Sequence, residues 1–171
     1  LRLAARLAPT APIPWLEMGR IQSHAARFKD AEQSFLEAIQ RAPDFLRARL
    51  LLADVQMAAG NFKDAEKTLR QVPTTNPATM LRLAKSVQNQ HRVDDSTHLF
   101  LKALLSAEPG DTTVALQAAM HLFMTAWSSG TMSPLTKALL ETKQSANNPY
   151  AKLLLMWIAL ESRNTDTATN Y

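Results

Sequence analysis

Bulky and small residues alternate at helical spacing between Trp15 and Pro43, where Trp15, Gly19, Phe28, Ala31, Phe35, Ala38 and Pro43 follow one another. The pattern predicts two amphipathic helices, from about Pro14 to Ala26 and from about Asp30 to Arg41. Asp30 can cap the second, and Gln33 can complete a capping box. Gly19 and Ala31 are small where the two axes must approach, Phe35 fills the space that opens beyond them, and Ala38 is small again for the next unit to dock. Pro43 cannot continue a helix and ends the second one.

Adding 34 to each number finds Phe62, Ala65, Leu69 and Pro77 in the places of Phe28, Ala31, Phe35 and Pro43. This second unit starts near Leu46, turns at Gly60-Asn61, where glycine supplies a positive φ, and resumes as DAEKTLRQV. Pro73 falls inside its expected second helix, which should therefore stop a turn early. Subtracting 34 sets Leu1, Ala4 and Pro9 in the large, small and proline places, so the chain is expected to open inside an earlier unit. A third copy, VDDSTHLFLKALLSAEP, puts Val93, Ser96, Phe100 and Ala103 in the places of Phe28, Ala31, Phe35 and Ala38, and Pro109-Gly110 closes it. The fourth unit is irregular. A helix from about Asp111 to Trp127 leads through SSGTM to a second helix with Ser133 as N-cap and Pro134 at its start, carrying Ala138 and Leu139 and ending near Asn147-Asn148. Pro149 begins a further first helix, YAKLLLMWIALES, and NTDTATNY reads as the opening of its partner.

A 34-residue period with the order W, L-G, Y, A, F, A, P resembles the tetratricopeptide repeat, and bacterial members in particular. Met18 stands where leucine is usual and Gln22 where an aromatic is usual. The resemblance implies an all-α fold, an α-α superhelix of antiparallel helix pairs forming one array over residues 1–171. Its divisions would be 1–11 for the end of an upstream repeat, 12–45, 46–76 and 77–110 for three repeats, 111–148 for an irregular fourth, and 149–171 for the start of a fifth. Such an array has no single core; each unit rests on its neighbours, and units cut at both ends point to a piece of a longer superhelix.

Composition agrees with this picture. Apolar residues at 46% and charged residues at 20% suit a folded chain, and four glycines without alternating Val, Ile or Thr runs leave little material for hairpins. The formal charge of +4 leans basic, but acids such as Glu32, Glu37, Asp64 and Glu66 are interspersed, as on a solvated surface and unlike a nucleic-acid footprint. Zero cysteines excludes disulfides and thiol chemistry, and leaves periplasm and cytoplasm equally open. The longest apolar run, Leu153 to Leu160, is too short to span a bilayer.

No catalytic pattern is present, and no cofactor is expected. His24, His91, His98 and His121 lack the i, i+4 pairing of a helical zinc site. No glycine-rich phosphate loop occurs, and Ser128-Ser129-Gly130 has no G-x-S-x-G setting.

The resemblance instead implies a concave surface, lined by the first helix of each repeat, that receives an extended peptide or a partner's helix. Carried onto this chain, the lining is Leu16, Arg20 and His24; Arg47, Leu50, Asp54 and Met57; and Leu81, Lys85, Gln88 and Asn89. Leu16, Leu50 and Leu81 recur as an apolar track flanked by Arg20, Asp54 and Lys85, which suits a mixed, mildly acidic partner segment. The competing reading packs the leucines inside the stack and leaves the charges solvated. Family grooves that clamp a C-terminal carboxylate use lysine and asparagine; Leu16, Arg20, Leu50 and Asp54 in those slots argue against such a clamp. A second apolar set, Phe123, Met124, Trp127, Leu154, Met156 and Trp157, is either core or interface.

Two functions therefore compete. One is a non-catalytic scaffold that binds a peptide or protein partner. The other is a region that positions substrate or partners within a larger enzyme or a secretion or polysaccharide-export machine, as bacterial relatives of this repeat do. RNA binding would need aromatic and basic residues recurring at fixed repeat positions, and these do not recur.

Overall fold

Prolines and left-handed turns set where the helices begin and end in the computed structural model, which describes residues 10–73, 75–108, 110–142 and 147–168, with side chains through 161. Among the described residues there are nine helices and no strand. They are α1 (Pro12–His24), α2 (Phe28–Arg41), α3 (Leu46–Ala58), α4 (Phe62–Arg70), α5 (Pro77–Gln88), α6 (Val93–Leu105), α7 (Thr112–Ser129), α8 (Met132–Glu141) and α9 (Pro149–Ala168). Successive helices pack as antiparallel pairs. The expected all-α fold of paired helices is what the chain adopts. Leu1, Ala4 and Pro9, and with them most of the proposed upstream repeat at 1–11, lie outside the described residues.

Pro12, Pro77 and Pro149 each open a helix, where a missing N–H leaves no bond unmade. The Asn148 side-chain oxygen accepts from the amides of Tyr150 at 2.9 Å and Ala151 at 3.0 Å, capping α9, and its nitrogen donates to the Leu104 carbonyl at 2.9 Å. Between the helices of the first three pairs, one residue takes a positive φ: Ala26 at 56°, Gly60 at 80° and His91 at 61°. Only Gly60 occupies that region without a Cβ penalty. The stop before Pro73 also holds, since α4 ends at Arg70.

Three local expectations need correction. Asp30 does not cap α2, which begins at Phe28; Asp30 lies in its first turn, 3.7 Å from the Arg27 guanidinium, and Gln33 donates to Glu37 instead of closing a box. Ser133 is not an N-cap either. Gly130, at φ 67°, closes α7 so tightly that the Thr131 amide reaches the Ala126 carbonyl at 2.9 Å, and α8 is already under way at Met132. NTDTATNY does not open a partner helix: α9 runs unbroken through Ala168, because no proline or glycine interrupts it.

The chain groups into two units: residues 1–74 with 85–91, and residues 75–84 with 92–171. In the first unit, Leu16, Ala31, Phe35, Ala38, Ala48, Leu52 and Val55 form the core. Phe35 is fully buried against Gly19, where an added Cβ would stand 2.7 Å from the ring's Cε1. Gly19→Ala is therefore expected to destabilise the chain by about 1–3 kcal/mol through overpacking. Thermal melts of Gly19→Ala with and without Phe35→Leu check this: the smaller partner should recover part of the loss that alanine causes.

A polar ladder runs through the same unit and accounts for Gln22 in an aromatic's place. The Gln22 carboxamide meets the Ser34 hydroxyl at 2.6 Å. Gln56, 34 positions on, accepts from Thr68 at 2.8 Å and donates to Glu32 at 2.8 Å. Gln90 donates to Glu66, also at 2.8 Å. Gln22–Ser34 and Gln56–Thr68 tie the two helices of a pair together, and Gln56–Glu32 and Gln90–Glu66 reach back to the preceding pair.

The second unit centres on Phe100, Ala103 and Leu104 of α6, packed with Ala115, Ala118, Ala119 and Leu122 of α7, and with Leu139 and Leu154 from α8 and α9. The Phe100 ring stacks on His121 at 4.7 Å between centroids. Ser96, Phe100 and Ala103 are all fully buried, as their places in the third copy predicted; Val93 remains largely exposed.

Candidate protein-binding faces

Each helix of the first unit spends one side on the core, which decides what the other side can offer. On α1 the core takes Leu16 and Gly19, leaving Arg20 half-buried and His24 exposed. Arg20 pairs with Glu17 at 2.7 Å. On α3, which packs beside α1, the core takes Ala48, Leu52, Ala53, Val55 and Gln56. Arg47 is exposed there, and Leu50, Asp54 and Met57 are half-buried. At 100° per residue, Arg47, Leu50, Asp54 and Met57 fall on one side of α3, as Arg20 and His24 do on α1.

Two of the eleven expected lining residues do not belong to a surface. Leu16 is 1% exposed and sits among Ala31, Phe35 and Leu52. Leu81 is 6% exposed and packs in the core of the second unit. The apolar track of three leucines is thereby reduced to Leu50. Lys85 and Gln88 on α5 are half-buried and Asn89, just beyond it, is exposed; all three group with the first unit. Sequence reasoning missed Ile13, which is mostly exposed and lies seven residues before Arg20 on the same side of α1. An isoleucine one turn before Leu16 was the available signal.

The second apolar set also divides. Leu154 is core; Phe123 and Trp157 are half-buried, edge to face at 6.2 Å; Met124, Trp127 and Met156 are exposed. A depression of about 700 Å³ lies between α8 and α9 along Met132, Leu140, Leu155 and Ile158, and includes none of the expected lining residues. Among the described residues no group of three His, Asp or Glu is placed to hold a metal ion, and no helix is long and apolar enough to cross a membrane.

Residues 22–89 match the sequence profile of the family described as Tetratricopeptide repeat. That stretch, less than half of the chain, is similar in sequence to tetratricopeptide repeats. No curated protein matches it in sequence. Among solved structures it is similar to MamA from Desulfovibrio magneticus RS-1, with TM-score 0.67 and 14% identity over 95% of this chain and 81% of that one. A second MamA crystal structure gives TM-score 0.68 and 14% identity over 98% and 86%. YrrB, described as a TPR protein with an unusual peptide-binding site, gives TM-score 0.59 and 12% identity over 95% and 97%. These likenesses establish the fold. Tetratricopeptide repeats mediate protein–protein interaction.

Proposed function

We propose that this array is a non-catalytic scaffold that binds a peptide segment or partner protein along the sides of α1 and α3, the concave side in the family. The observation that carries the reading is the division of labour on these helices. Leu16, Gly19, Leu52 and Val55 are consumed by the core, while Arg20, His24 and Arg47 remain accessible around half-buried Leu50, Asp54 and Met57. Lys85, Gln88 and Asn89 extend the set on the third repeat. Such a blend suits a segment with apolar side chains between carboxylates, because an acidic flank meets Arg20 and Arg47 while a central apolar residue covers Leu50.

The test uses a fluorescein-labelled peptide that alternates leucine and glutamate, titrated with the full chain. Arg20→Glu combined with Arg47→Glu is expected to weaken binding by about tenfold or more and to leave the melting curve almost unchanged, since both side chains are at least partly solvated. Equal affinity of the double variant and the parent chain would contradict the assignment.

A further inference from the structure

We draw no further inference here: the strongest candidate, the apolar groove between α8 and α9 along Met132, Leu140, Leu155 and Ile158, is an unpartnered helix face, and nothing in the structure shows what covers it.

Discussion

Phe35→Ala is expected to lower the stability of the chain by about 3–5 kcal/mol, the cost of removing a fully buried aromatic and leaving most of its volume empty. The ring fills a space bounded by Gly19, Ala31 and Ala38, and none of these can extend to close the gap. In a repeat array the loss should be felt first by α1, α2 and the neighbouring α3, because each unit is held chiefly by those it touches. Chemical denaturation checks the magnitude, and hydrogen exchange checks the location: protection in α1 and α2 should fall before that in α7. A midpoint equal to the parent's would contradict the placement of Phe35 in the core.

Phe100→Ala should cost a similar amount, about 3–5 kcal/mol, in the second unit. Here the ring has a further partner, the imidazole of His121 stacked at 4.7 Å, which loses its aromatic contact along with the packing. Phe100→Leu keeps much of the volume but not the stacking, and should cost distinctly less. Phe35 and Phe100 lie in separate cores, so the two alanine effects should add within about 0.5 kcal/mol. A combined loss far from the sum would show that the two cores share contacts.

Much of the fold was legible because the spacing of side-chain sizes is a packing rule. Ala31, Phe35 and Ala38, Ala65 and Leu69, and Ser96, Phe100 and Ala103 were all placed by counting, and all are fully buried. What counting could not supply was the geometry between helices. Ala26 and His91 take the left-handed conformation that Gly60 advertises, but neither residue announces it, since the turn imposes it against their intrinsic preference. Helix starts were misplaced at Asp30 and Ser133 for the same reason: the preceding turn, closed by backbone bonds such as Arg27 N–H to the Gln22 carbonyl at 2.9 Å, fixes the entry before any side-chain cap can.

The candidate site was legible only in part. Residue spacing identifies a side of a helix, not how far the neighbouring elements cover it. Arg47 and His24 emerged exposed and Leu50 half-covered, while Leu16, on the same line of reasoning, was fully covered by α2 and α3. The apolar set around Phe123 posed the opposite problem. Core and exposed residues of that set alternate at the same three-and-four spacing, so Leu154 and Met156 could be separated only once their surroundings were known.

The most direct test of the interlocking of small and large residues is a nuclear Overhauser measurement on the isotopically labelled full chain, between the Gly19 α protons and the Phe35 ring. Contact as close as that at Gly19 should give strong cross-peaks, with the glycine α protons displaced from random-coil shifts by the ring current. Absent cross-peaks together with random-coil shifts at Gly19 would contradict the packing on which the face of α1 and α3 depends.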